Sequence, residues 1–199
     1  MRPKTALTKI GPLLKAPSFT SAEARSCGVT AATLAHYVSA GEISRIGRGL
    51  YRGPKAQAAE GDFRWDDLIE AVKRAREGVV CLVSALAVYD LTEEIPRQHW
   101  IAIRHETVHH HPKSTKVIRM RNFDLGRTTT KIGNVTVPIF DRERTVVDAF
   151  RFLSKEIAIK ALREALRKRG NEKINTQRLQ EYARKLRVDI EPYLLAETT

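Results

Sequence analysis

The residues whose types and spacing could do chemistry fall into two sets: His105 with His109-His110-His111, and Asp141, Arg142, Glu143, Arg144 and Asp148. Clustered imidazoles are ligands for zinc or nickel. Consecutive side chains point in different directions in strand or loop, however, and Pro112 follows the run. The histidines therefore read as an exposed loop, and no carboxylate at helical spacing completes a metal centre. The second set, at the end of a strand, holds the ingredients of a Mg²⁺ site for nuclease or nucleotidyl chemistry. That chemistry needs convergent carboxylates. Here Asp141 sits where it would cap a following helix, and Arg144 and Asp148 are spaced to form an ion pair on it, so a structural role is favoured. There is no GxSxG, no phosphate-binding loop and no GxGxxG. Cys27 and Cys81 lie in apolar surroundings without metal or CxxC spacing and read as buried thiols. No cofactor is implied.

A different chemistry, contact with a polyanion, is written between Thr20 and Arg52. Thr20 with Glu23 is a capping box that starts a short helix, which Gly28 ends. Thr30 caps a second helix over Ala31–Ala40, closed by Gly41. Two short helices across a tight turn are a helix-turn-helix. Ile43, Ile46, Leu50 and Tyr51 then form strands around Gly47-Arg48-Gly49, a hairpin with an arginine at its tip. Together these make a winged helix. On the second helix, Ala31, Leu34, Ala35 and Val38 are expected to pack inward. Thr30, Ala32, Thr33, His36 and Tyr37 are expected nearer the outside, suited to base edges and phosphates in a major groove. Arg45, Arg48 and Arg52 would hold flanking phosphates or enter the minor groove. With Thr20, the expected DNA-contacting residues are Thr20, Thr30, Thr33, His36, Tyr37, Arg45, Arg48 and Arg52.

The charge balance agrees. The 199 residues carry 35 Lys plus Arg against 23 Asp plus Glu, net +12, which favours a polyanionic partner. Residues 1–53 hold 8 basic and 2 acidic side chains, and residues 54–112 are net acidic. Hydrophobic content of 42% is enough to bury a core. No apolar run is long enough to span a bilayer, and the N-terminus lacks a signal core, so cytoplasmic residence without membrane contact is expected.

The rest of the chain must position these groups. Residues 1–53 are expected to form the DNA-binding domain, with a first helix over Thr5–Leu14; residues 54–61 read as a linker and 62–199 as a C-terminal domain. In that domain Asp62 or Asp66 caps a helix ended by Gly78. Ser84 caps another running through Leu91. His99–Arg104, Lys116–Met120 and Val135–Phe140 read as strands, the last turning at Gly133-Asn134 and placed at an edge or bulge by Pro138. Helices follow over Thr145–Leu153 and Lys155–Arg169, and a last one is capped by Asn175 or Thr176. The fold class is α+β: an N-terminal winged helix-turn-helix and a C-terminal mixed domain with a small sheet and flanking helices.

At this point the chain resembles a known family. T-S-A-E-A…G-V-T…G-E-I-S-R-I-G-R-G-L-Y-R looks like the winged helix of AbiEi-type antitoxins of bacterial type IV toxin–antitoxin systems. LVSALAVYDL, HWIAI, VIRM and DRERTVVDAF, in that order, are similar to that family's C-terminal domain. The resemblance implies a non-enzymatic transcriptional autorepressor that binds promoter repeats through its winged helix. It also implies an antitoxin whose C-terminal domain counters a nucleotidyltransferase-like toxin without a tight inhibitory complex. Carried over, Thr30, Thr33, His36 and Tyr37 match the recognition helix, and Arg45, Arg48 and Arg52 the wing. Two other readings stand beside it. One is a metal-dependent nuclease with Asp141 and Asp148 as ligands; the other is a protein-interaction adaptor docking through the basic helix Lys155–Arg169.

Overall fold

A computed structural model describes residues 5–54, 56, 65–75, 77–106, 114–133 and 135–198. The chain forms two compact units. One comprises Met1–Arg76 with Lys131–Thr136, the other Glu77–Thr130 with Val137–Thr199. The architecture is α+β, with a winged helix-turn-helix in the first unit.

The first unit opens with α1 (Thr5–Lys9) and α2 (Gly11–Lys15) rather than one continuous helix. The break falls at Ile10, because Pro12 lacks the N–H that would continue the ladder but suits the first turn of a new helix. Ile10 becomes fully buried at the break. Next come β1 (Phe19–Thr20), α3 (Ser21–Ser26), α4 (Ala31–Ser39), β2 (Ser44–Gly47) and β3 (Leu50–Arg52). The strands form an antiparallel sheet in the order β1-β3-β2. Ile10, Phe19, Ala24, Val29, Leu34, Tyr37, Ile43 and Tyr51 make the core, with Phe19 stacked on Tyr51 at 5.8 Å. The helix α5 (Asp66–Arg74), assigned from sequence to the C-terminal part, groups with this unit. Its N-cap is Trp65 rather than Asp66, but Asp66 and Asp67 lie in the first turn, where the helix dipole favours them. Asp62 and most of the expected linker lie outside the described residues.

The second unit contains β4 (Val79–Val80), α6 (Leu82–Val88), β5 (His99–Arg104), β6 (Thr115–Met120) and most of β7 (Arg127–Ile132) and β8 (Val135–Phe140), the last two residues of β7 and the first two of β8 grouping with the first unit. It continues with α7 (Arg142–Phe152), α8 (Lys155–Arg167), a 3-10 turn (Gly170–Glu172), α9 (Thr176–Leu186) and α10 (Glu191–Thr198). The sheet order is β6-β5-β4-β8-β7. β5 runs parallel to β6, from His99↔Thr115 to Arg104↔Met120, while β4 is antiparallel to β5 and parallel to β8. α7 packs against α6, α8 and α9.

Several local readings change. β8 is internal despite Pro138, lying between β4, which it meets at Val80↔Ile139, and β7. Ser84 does not cap α6, which starts earlier at Leu82. It is buried, and its hydroxyl accepts a hydrogen bond from the Trp100 N–H at 2.9 Å. Leu82 itself has φ +48, a left-handed strand-to-helix corner occupied by a buried leucine.

Candidate nucleic-acid interface

The helix-turn-helix is set by its caps. Thr20 accepts from the Glu23 N–H at 3.1 Å while the Glu23 carboxylate reaches back to Thr20, closing the capping box. Thr20 is thus committed to starting α3 and is half-buried. α3 ends where Gly28 takes φ +76 and the Val29 N–H returns to the Ala24 carbonyl at 3.0 Å. Thr30 caps α4 by accepting from the Thr33 N–H at 3.3 Å, and the two hydroxyls lie 2.9 Å apart. Thr30 is exposed and Thr33 half-buried, so both sit at the leading edge of α4.

The outward face of α4 differs from the one expected. Leu34 and Tyr37 are its buried residues, with Tyr37 only 7% exposed inside the core cluster. Tyr37 is therefore corrected from a groove-facing residue to a packing one. Ala31 and Ala35, expected inside, are exposed together with Ala32, His36 and Ser39. The turn of the helix follows from side-chain size. Leu34 and Tyr37, at i and i+3, bury far more apolar area than two alanines and win the inward side. That large-residue pair was the available signal, since alanine is tolerated on either face. The result is a smooth helix face bearing one imidazole and short hydroxyls.

The wing is a hairpin whose Gly47↔Leu50 pair brackets Arg48-Gly49. Gly49 holds φ +70, and an added Cβ would lie 3.1 Å from the Ser21 hydroxyl, so both the backbone and the space at this turn favour glycine. The Gly49 carbonyl accepts from the Ser21 N–H at 2.8 Å, tying the wing tip to the first turn of α3. Arg48 is exposed at the turn. Arg45 is exposed as well, its Nε donating to the Gly47 carbonyl at 3.2 Å.

Arg52 is placed otherwise. Its Nε donates to the Pro17 carbonyl at 3.1 Å and its Nη2 pairs with the Glu70 carboxylate. Arg52, expected to contact phosphate, is thus half-exposed and engaged in an ion pair with Glu70. Glu70 also accepts from Arg74 Nη2 at 3.2 Å, and that same nitrogen donates to the Ile46 carbonyl in the wing at 2.8 Å. Lys73, one residue before, donates to the Ser18 carbonyl and lies 3.7 Å from Glu23. Burial pulls the Lys73 ammonium below its usual range, with Glu23 and Glu70 opposing that shift. None of Glu70, Lys73 and Arg74 is marked by the local pattern around the winged helix, because their partners there, Arg52, Ser18 and Ile46, are 18 to 55 residues away in sequence.

The acidic set of the second unit forms no metal centre. Asp141 caps α7, accepting from the Arg144 N–H at 2.8 Å and from the Tyr182 hydroxyl at 3.0 Å. That phenol is pushed up to about 12, by burial first and then by the Asp141 charge. Glu143 is buried and accepts from the Asn175 N–H at 2.8 Å. Asp148 is held by Arg144 Nε at 2.7 Å and by Arg151 Nη1 at 2.6 Å. Arg144 also donates to the carbonyls of Asn122 and Leu125, both at 2.8 Å. Among the described residues no group of three or more His, Cys, Asp or Glu could hold a metal ion. His105 is exposed, and His109-His110-His111 lie outside the described residues. Cys81 is fully buried, and burial first, then the Asp148 charge, pushes its thiol well above the ordinary range, against the pull of Arg144. On α8 the basic side chains Lys160, Arg163 and Arg167 pair with Glu156, Glu197 and Glu164, so the face expected to dock an acidic partner is largely self-neutralised.

The capped helix pair and the arginine-tipped hairpin coincide with a stretch that matches a known family. Residues 16–53 match the family model described as transcriptional regulator, AbiEi antitoxin. No curated protein matches the chain. The matched stretch runs from the approach to β1 to the end of β3, and so contains the whole helix-turn-helix and wing but stops short of α5. Among the described residues, no helix is long and apolar enough to cross a membrane.

Proposed function

We propose that this protein is a transcriptional regulator that binds double-stranded operator DNA through its first unit and acts as the antitoxin of a bacterial toxin–antitoxin pair. One observation carries the reading: the segment matched to the AbiEi regulator family is the one that presents an exposed helix face beside an exposed arginine hairpin. In this reading α4 enters the major groove. Thr30, Thr33 and His36 meet base edges or phosphates, and the exposed methyls of Ala31, Ala32 and Ala35 allow close approach. Arg48 and Arg45 reach the flanking backbone. The chain represses its own operon in the cytoplasm, and its second unit counters a nucleotidyltransferase-like toxin.

Arg48→Ala tests the interface. Its expected effect is weaker binding to all duplexes, with the slope of log affinity against log salt concentration flatter by about 1, as loss of one phosphate contact requires. Titration of the duplex upstream of the chain's own coding sequence at several salt concentrations measures it. Unchanged affinity and slope would remove Arg48 from the interface, and absence of any duplex binding by the wild type would end the reading.

A further inference from the structure

We propose that Glu70 is a positioning residue for the wing, and that the DNA-reading unit extends beyond the family-matched segment to the end of α5. This rests on the function proposed above. The Glu70 carboxylate, with a side chain only 12% exposed, sits between two arginines of different origin. Arg52 closes strand β3, and Arg74 comes from its own helix, one turn on. The Arg74 guanidinium then crosses to the opposite strand of the wing, where it donates to the Ile46 carbonyl at 2.8 Å and lies against Gly47. A Cβ on Gly47 would come within 3.1 Å of the Arg74 Nε, so the backbone there approaches the guanidinium closely. One carboxylate thereby fixes both strands that carry Arg48. Lys73 adds a second tie, to the Ser18 carbonyl and the capping-box Glu23, so that α5 also grips the start of the helix-turn-helix. β2 is the outer strand of the three-stranded sheet and pairs only with β3, and a side-chain brace of this kind supplies the order that makes an arginine at the hairpin tip an effective phosphate contact.

The alternative has the opposite sign. If Glu70 merely masked Arg52 from phosphate, removing its charge would free a cation and tighten DNA binding. As a brace, its removal loosens the wing and weakens binding. The test uses the full chain and the near-isosteric Glu70→Gln, read two ways. In duplex titrations with the upstream region, Glu70→Gln is expected to lose affinity several-fold, with a salt slope flatter by about 1; adding Arg48→Ala to it is expected to cost little more, because the contact is already lost. In hydrogen exchange, the amides of Ile46 to Gly49 are expected to lose protection while those of α4 keep theirs. Tighter binding, or full additivity with Arg48→Ala, or unchanged wing protection in a folded variant, would overturn the proposal.

Should Glu70→Gln fail to fold by circular dichroism, Arg74→Met and Arg74→Lys replace it. One nitrogen serves both Ile46 and Glu70, so lysine is expected to keep wing protection near wild type and methionine to lose it; equal exchange in the two variants would overturn the brace. If the wild type binds no duplex, the regulatory reading fails, and hydrogen exchange alone still decides whether α5 holds the wing.

Discussion

The wing of the first unit and the start of α7 in the second both present arginines beside strand ends, and in sequence they look equally chemical. Their fates differ. Around α7, Asp141, Glu143, Arg144 and Asp148 satisfy one another, backbone groups and neighbouring helices, and Arg144 is fully buried. In the wing, Arg45 and Arg48 stay in water at a turn whose geometry is fixed from behind by Ser21 and Arg74. The lesson is that charge density does not mark a functional surface; what marks it is charge left facing solvent on a backbone that is itself held. Arg52 lies on the dividing line, since it belongs to the wing in sequence and to the internal kind in its contacts.

The sharpest way to break this contrast is to remove the buried member. Arg144→Met would leave the Asp148 carboxylate, 1% exposed, with Arg151 as its remaining cation partner, and would strip donors from the Asn122 and Leu125 carbonyls. A loss of about 3 kcal/mol is expected, the scale for breaking a buried pair from one side. Trp100 lies in the second unit and Trp65 in the first, so single-tryptophan variants in urea can report the units separately. The Trp100 transition should move to lower denaturant, and duplex affinity of the folded protein should stay unchanged. A matching loss of DNA binding with normal stability would reverse the assignment of the two regions.

Tyr37 offers a similar contest inside the first unit. As a core residue, Tyr37→Ala should cost about 3 kcal/mol, by analogy with other aromatic truncations in cores, and shift the Trp65 transition. If Tyr37 instead read bases, the variant would keep its stability and lose sequence discrimination.

How far the sequence could lead follows from where each determinant lies. The winged helix was legible because its signals are local: Thr20 and Glu23, Thr30, Gly28, Gly41 and Gly49 act over a few residues each. The acidic set was legible for the same reason, as Asp141 caps the helix beside it and Arg144 meets Asp148 one turn on. The inward side of α4 differs from the expected one because Tyr37, beside Leu34, outweighs Ala31 and Ala35 in buried apolar area. The strand Arg127–Ile132 was not seen, since RTTTKI lacks an apolar alternation, as suits the edge of a sheet. Glu70 and Arg74 stand one turn apart on α5, but their ties to Arg52 and Ile46 in the wing are beyond local pattern, because 18 and 28 residues separate those partners.

The smallest expected effect tests the closed network from its rim. Burial raises the Asp141 carboxyl above the ordinary 3.8, and the Glu143 charge adds to this, while the Arg144 N–H, the Tyr182 hydroxyl and Arg178 pull the other way. A group whose folded value lies above its unfolded one keeps a proton on folding that the unfolded chain has already released. Its contribution to stability therefore falls as pH rises from near 3.8 through the folded value, and the full cost of holding a buried carboxylate is present above that window. Asp141→Asn keeps an oxygen to accept from the Arg144 N–H and cannot ionise. Relative to wild type, the variant should gain stability as pH rises through the window, with the Trp100 transition as the readout. A relative loss over the same range would mean that the hydrogen bonds to Asp141 outweigh its burial, and that the second unit depends on this carboxylate as a charge as well as a cap.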